Sequence, residues 1–482
     1  MVENNIDEHL IISYVFPPAD DVSGIVQAKK ILADKKLVDL VVSDSGNDLS
    51  FDFAELSKKY INEKIIIEMN NKPLNAPDTI LFFIEKAMEE LENRNNDYKL
   101  IYSICWRISN HLLALEYKFK HPEVFWSAEF SDPMLYDIFN KKRNSKLNDA
   151  EYINRLNGEI SKLGDYPLLE IPSNIYFVVE YLTYLFADEI IFTNENQREI
   201  MLSQFPVDVY DKVMSKSRIS PSPTLDEEYY HLNEVEADID DNYINLAFFG
   251  TYYPKRHFES LFYAFDSLNH KFKDKIKLHM YVSDTRFLKE LIKGLNIGEN
   301  IIIHEIVDYL DFLNLTTKFD VLIATDLSTQ GTFKINPYLP SKISDYMGSG
   351  KDIWMIYEKG SVMSKSDVKY KSDIQDYSTS REVLIKILED YGYVDEDLSF
   401  DEYYFNKRLT LLNEYLHLRY SRMERIKAKN KTISKENSTL KKEINRLKSK
   451  NEKLKQKNDE FMSSNSWKIT KPLRKLKNIK FW

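Results

Sequence analysis

Apolar and polar residues along this chain of 482 residues follow two alternating rhythms. Compact apolar runs of about four to eight residues, the length of a buried strand, are separated by longer stretches in which apolar residues return every third or fourth position, the period of a helix with one buried face. The first run is residues 9–16, HLIISYVF; after PPADDVSG, Ile25, Ala28, Ile31 and Leu32 share one helical face, and residues 37–42 read as a second strand. Between residues 51 and 119, apolar runs at 65–67, 80–83 and 100–102 interrupt charged helical stretches, an alternation that predicts an α/β layer. Residues 124–133, VFWSAEFSDP, read as an aromatic-rich strand with two carboxylates, Glu129 and Asp132, before a proline, although Ser-Asp-Pro is also a good turn opener. Residues 181–202 read helix, strand, loop, helix. Thr193 and Asn194 fall at the strand's C-terminal end, where ligands collect in open α/β sheets; Asn194 there reads best as the cap of the following helix.

The Pro-, Asp- and Glu-rich residues 221–243 read as a linker, and the carboxylates Asp238, Asp240 and Asp241 in it as solvated charge rather than a metal motif. The alternation then resumes. Strands at 244–249, 277–282, 301–303, 320–324 and 353–356, separated by helices, predict a five-stranded parallel sheet with helices on both faces.

Residues 338–351, YLPSKISDYMGSGK, carry the most pointed chemistry. Pro340 suits the first turn of a helix. Ile343, Tyr346 and Met347 stand three and four apart and predict a buried stripe, with Ser341, Lys342 and Asp345 on the other side. Gly348 and Gly350 end the helix. A lysine at a helix N-terminus suits an anion such as phosphate, and a carboxylate one turn on suits a ribose or sugar hydroxyl. A plain amphipathic helix with Lys342 and Asp345 as a solvated pair fits the same spacing.

PSKISDYMGSGKDI resembles the P-S-K-L-x-E-Y-x-A-x-G-K-P-I signature of family-four-like GT-B glycosyltransferases, and FADEIIFTNENQ resembles the last unit of that family's N-terminal domain. The resemblance covers about residues 9–420. It implies two Rossmann-like domains facing a cleft and transfer of a sugar from a nucleotide-diphosphate sugar, a UDP-sugar foremost, usually with retention at the anomeric carbon and without a metal or other cofactor. It implies donor contacts from Ser23 and Gly24 in the N-terminal loop, from Gly250, Lys255 and Arg256 after the first strand of the second domain, from Ile306 and Val307, and from Ser341, Lys342 and Asp345. Asp132 would face the acceptor, while Arg256 and Lys342 stabilise the diphosphate leaving group. Lys255-Arg256 also reads as a surface pair. One departure is plain: the family often carries two glutamates eight positions apart, and here Asp345 takes the second place while Pro337 falls at the first. The alternative is therefore a catalytically silent glycosyltransferase-like subunit that positions an active partner, with a GT-B sugar epimerase as a further rival.

Charge and composition add the ends of the picture. A single cysteine, Cys105, rules out an internal disulfide and fits a reducing compartment. The acidic N-terminus does not resemble a signal peptide, and no apolar run approaches the ~20 residues of a membrane span. Residues 421–482 hold 20 Lys and Arg against 6 Asp and Glu, leaving 46 against 70 in the rest. An acidic body argues against nucleic acid as a partner. In the tail, Ile426, Ile433, Leu440, Leu447, Leu454 and Phe461 recur every seven residues, with Asn430, Asn437, Asn451 and Asn458 three before. Apolar d with asparagine at a predicts a coiled coil and self-association through 426–461. Residues 465–482 interleave aromatic and basic residues as an interfacial amphipath does, and predict attachment to an anionic membrane surface. The ending also resembles the S-W-R-x-T-x-P-L-R of bacterial surface-glycan transferases, which implies cell-surface polysaccharide or glycoconjugate synthesis at the inner face of the cell membrane, on a glycan, lipid-linked or protein acceptor. The expected plan is an acceptor domain at 1–220, linker at 221–243, nucleotide-sugar domain at 244–399, closing helix at 400–420, coiled coil at 421–462 and basic tail at 463–482.

Overall fold

The computed structural model describes residues 9–19, 21–44, 51–69, 76–94, 96–251, 256, 258–268, 270–293, 295, 297–393, 402–465 and 467–468. The chain forms two units, Met1–Leu409 and Thr410–Trp482. The first unit contains two parallel sheets. Strands β1 (His9–Ile12), β2 (Val38–Ser43), β3 (Ile61–Ile67), β4 (Leu100–Cys105) and β5 (Phe125–Phe130) are followed by a small antiparallel pair, β6 (Lys146–Leu147) with β7 (Ser173–Asn174), and then by β8 (Glu189–Phe192) and β9 (Ser217–Ile219). The first sheet runs in the order β3-β2-β1-β4-β5-β8-β9. The second is built from β10 (Ile244–Phe249), β11 (Ile276–Tyr281), β12 (Ile301–His304), β13 (Val321–Thr325), β14 (Asp352–Tyr357) and β15 (Tyr370–Asp373), in the order β12-β11-β10-β13-β14-β15.

Both sheets therefore reverse direction beside their first strand, between β1 and β4 and between β10 and β13. That reversal opens a crevice at the strands' C-terminal ends, where doubly wound sheets bind ligands. Strand β10 reads INLAFF and is buried throughout, as a strand covered on both faces must be.

The helix Val22–Asp34 starts at Asp21, whose carboxylate accepts the Ser23 N–H. Gly24 lets this helix lie against the segment that follows β1: an added Cβ would sit 2.9 Å from the Val15 carbonyl oxygen and 3.0 Å from Phe16 Cα. The core continues across the two sheets, with Ile31, Leu32 and Leu40 in one cluster with Ala247, Phe249, Phe312 and Tyr346.

Three expectations change. Residues 80–83 belong to the helix Pro77–Arg94, not to a strand; Ile80, Phe83, Ile84, Ala87, Met88 and Leu91 are buried at helical spacing, and the apolar run is their crowded beginning. The second sheet has a sixth strand, β15, whose sequence YKSD offers no apolar run because it forms the sheet's edge. In the helix Lys342–Gly348, Tyr346 is buried as expected, but Asp345 is buried too and Met347 is exposed, because this helix packs between the two halves of the unit rather than on one sheet.

The second unit is carried by a single unbroken helix, Glu402–Ser463, that begins within the last residues of the first unit. Among its described side chains, Ile426, Ile433, Leu440, Leu447 and Leu454 are exposed. No described helix is long and apolar enough to cross a membrane. Phe461 and most of the basic tail lie outside the described side chains.

Candidate active site

A cavity of about 710 Å³ lies over the C-terminal ends of both sheets. From the first half it is lined by Asp21, Val22, Ser23 and Val26 at the start of the helix Val22–Asp34, by Trp106 just beyond β4, by Ser131 and Asp132 just beyond β5, and by Arg143 and Thr193. From the second half come Arg256, Leu327, residues 338–341, Ile343, Ser344 and Met347.

The acidic loop after β5 is held from behind. Buried Glu180 accepts the N–H groups of Met134 and Leu135 at 2.9 and 2.8 Å. The Arg143 guanidinium donates to the carbonyls of Pro133, Met134 and Tyr136 at 2.9, 2.6 and 2.7 Å. This bracing fixes Asp132 at the cavity wall. Burial pushes its carboxyl up to about 7, against the opposing pull of the Arg143 charge. Burial raises Glu180 to about 7 as well. Ser131 presents a buried hydroxyl with no hydrogen-bond partner in the structure. Glu129, also at the cavity wall, is matched by Lys30 and by the Tyr102 hydroxyl.

On the opposite wall, Arg256 sits 5.9 Å from the Phe248 ring centroid, close to Gly250. Gly250 has φ +153°, and an added Cβ would press on Phe248 at 3.2 Å. Behind it, just past β13, Asp326 accepts the Ser361 hydroxyl at 2.5 Å and the Glu358 N–H at 2.8 Å. Burial pushes the Asp326 carboxyl up to about 7, while the Arg256 charge and these hydrogen bonds pull it down. Glu358 in turn accepts the Thr329 N–H and hydroxyl and the Asn336 amide, which pins the loop leading into residues 338–341.

Of the residues expected from the sequence, Ser23, Asp132, Arg256 and Ser341 line the cavity together. Asp345 does not line it. Its carboxylate is buried against Lys29 at 2.6 Å and accepts the Tyr309 hydroxyl at 2.6 Å. Lys29 comes from the first half, so the pair joins the two halves. Lys342 is not among the lining residues either; its amine lies 3.9 Å from the Phe312 ring centroid, a cation–π contact. Its helix, Lys342–Gly348, has no side-chain cap from Ser341. Gly24 serves the packing of its helix on Val15 and Phe16, and Ile306 and Val307 are not among the lining residues, Ile306 being exposed. Lys255 lies outside the described residues.

The TNENQ stretch behaves as a second tie. Asn194 caps the helix Glu195–Leu202 through the Gln197 N–H and donates to the Pro337 carbonyl at 3.0 Å. Asn196 donates to the carbonyls of Asn336 and Gly360, both at 3.0 Å. Sequence reasoning missed Lys29, Asn196, Trp106 and Ser131. Lys29 had a signal: it follows Ala28 inside the apolar stripe of its helix, where a solvated lysine does not belong. Trp106 had one too, as an aromatic directly after the apolar run of β4.

No family model and no curated protein matches the chain. Solved structures do. A sucrose-phosphate synthase from Thermosynechococcus elongatus is 14% identical, with a TM-score of 0.52 over 87% of this chain and 98% of that one. HepE from Anabaena, in complex with UDP and glucose, is 12% identical, with a TM-score of 0.51 over 86% of this chain and 100% of that one. A trehalose-6-phosphate protein from E. coli bound with UDP-2-fluoro glucose is 11% identical, with a TM-score of 0.50 over 86% and 95% of the two chains. Two parallel sheets, each reversing at its first strand over a shared cavity, give this chain the GT-B fold of glycosyltransferases.

Proposed function

We propose that the protein transfers a hexose from a UDP-sugar to a glycan, lipid-linked or protein acceptor in the synthesis of a cell-surface polysaccharide or glycoconjugate. The observation that carries this reading is the cavity itself: it spans the C-terminal ends of both sheets and is lined by Arg256 of the second half together with Asp132 of the first. The similarity of the fold to structures holding UDP with glucose and UDP-2-fluoro glucose supports the donor class.

In this reading Arg256 meets the diphosphate, because a planar guanidinium binds two oxygens at once. Its charge offsets the negative charge that builds on the leaving group as the sugar–phosphate bond breaks. Asp326 lies near enough to feel the Arg256 charge, and Ser341 and Ser23 offer hydroxyls to the donor. Asp132 faces the acceptor hydroxyl. A carboxyl that titrates near 7 can hold or release a proton at neutral pH. Retention at the anomeric carbon and independence from metal belong to this same proposal.

The exposed apolar residues at seven-residue spacing in the helix Glu402–Ser463 support pairing with a second copy through 426–461. The basic tail at 465–482 would then bring the catalytic body to an anionic membrane surface at the inner face of the cell membrane. Light scattering on the whole chain and on a chain ending at Tyr420 tests the pairing; equal monomeric masses would contradict it.

The donor reading is tested by a thermal-shift and hydrolysis screen of nucleotide-sugars. Stabilisation and slow hydrolysis with at least one UDP-sugar are expected. No response to any nucleotide-sugar would overturn the reading.

A further inference from the structure

Three large apolar side chains stand exposed at the cavity wall: Val22 at 69%, Trp106 at 42% and Met347 at 46% of their surface. An exposed tryptophan inside a cavity is costly to leave wet and useful to cover, since its ring buries a large apolar area while its geometry stays fixed. Trp106 follows β4 directly, and Ser131 and Asp132 follow β5, the neighbouring strand in the sheet. A tryptophan, a serine whose buried hydroxyl has no partner and an aspartate thus line one cavity from adjacent strand ends.

This combination selects for one kind of ligand. A flat apolar molecule would cover Trp106 but leave the Ser131 hydroxyl and the Asp132 carboxyl unsatisfied, and burying polar groups without partners is unfavourable. A small polar ion would satisfy them but leave the indole bare. A pyranose ring does both, because one face carries C–H groups and the rim carries hydroxyls.

Resting on the donor reading above, we propose that Trp106, Ser131 and Asp132 form an acceptor subsite for a glycan. One face of a terminal pyranose ring lies on the Trp106 indole, and a ring hydroxyl is held by Ser131 and Asp132. Val22 and Met347 close the sides of the platform. Arg256 lines the same cavity from the second half.

The test uses saturation-transfer NMR on the full chain with UDP and a panel of p-nitrophenyl pyranosides (gluco, galacto and N-acetylglucosaminide). In the wild type, at least one glycoside is expected to show transfer to the C–H protons of one ring face. W106A is expected to reduce that signal at least fivefold, W106F to keep most of it, and UDP saturation to be unchanged in both. S131A is expected to weaken the same glycoside several-fold. If the UDP signal is present but no glycoside responds, or if W106A saturates the glycoside as well as the wild type, the subsite is wrong. Absence of the UDP signal in the wild type would instead remove the donor reading on which the subsite rests.

Discussion

The seam between the two halves of the first unit and the cavity beside it are made from the same stretches of sequence, yet the seam's ties are matched while the cavity wall keeps a polar group without a partner. In the seam the groups that tie one half to the other are matched. Lys29 and Asp345 have side chains only 1% and 4% exposed, at 2.6 Å, and Tyr309 and Ser344 complete their hydrogen bonding. Tyr230 donates to the Asp345 carbonyl at 2.7 Å and stands where a side chain on Gly348 would go. Asn194 and Asn196 spend their amides on carbonyls of the other half. In the cavity, by contrast, Asp132 is held near neutrality by burial, and the Ser131 hydroxyl has no partner. A matched polar group holds structure; an unmatched one at a cavity wall is available to a ligand. The P-S-K helix contributes to both, with Asp345 on the seam and Ser341 and Met347 on the cavity.

The largest effect should come from breaking the seam. Removing one partner of a buried ion pair strands the other charge, at a cost of ~3–5 kcal/mol. Asp345→Ala is therefore expected to lower urea stability by that amount. A loss below ~1 kcal/mol, the range of an exposed pair, would show that the seam is not a buried tie.

A smaller effect is expected at Asn196. Its amide satisfies two carbonyls from the other half, and Asn196→Ala leaves both without that donor, costing about 1–3 kcal/mol. Trp106→Ala, on the cavity side, should leave stability within about 0.5 kcal/mol because the ring is substantially exposed. If Trp106→Ala costs as much as Asn196→Ala, the distinction between matched seam and open cavity fails.

The pH response sharpens the comparison further. Burial lifts Asp132 to about 7 in the folded chain, from an ordinary value of 3.8. Between those values the folded state binds more protons than the unfolded state, so this group's stabilising contribution is present at low pH and is lost as pH rises toward about 7. Melting temperature measured from pH 5 to pH 8 should fall less steeply in Asp132→Asn than in the wild type. An identical slope, or a steeper one in the variant, would show that Asp132 is not a buried proton-binding group.

Much of the fold was legible because strands covered on both faces read as continuous apolar runs. Strand β10 and the helix–strand–helix of residues 181–202 are plain in the sequence for that reason. Strand β15 was not, since an edge strand can be polar, and residues 80–83 misled because a helix buried deep in a layer crowds apolar residues at its start. The site was legible in part. Arg256 and Asp132 follow strand ends, and the order of strands carries them to one cavity. Asp345 misled for a physical reason: helical spacing tells which residues share a face but not what faces them, and here the partner is Lys29, 316 positions away.

The most direct test is a calorimetric titration of UDP into three proteins: the wild type, Arg256→Ala, and a seam variant in which Lys29→Met and Asp345→Asn remove the charge pair together while leaving Tyr309 an oxygen to donate to. Losing a charged hydrogen bond to phosphate costs about 1.5–3 kcal/mol, roughly tenfold or more in affinity. The account predicts at least a tenfold loss for Arg256→Ala and affinity within about threefold of wild type for the seam variant. Wild-type affinity in Arg256→Ala, with UDP binding abolished in a folded seam variant, would contradict it.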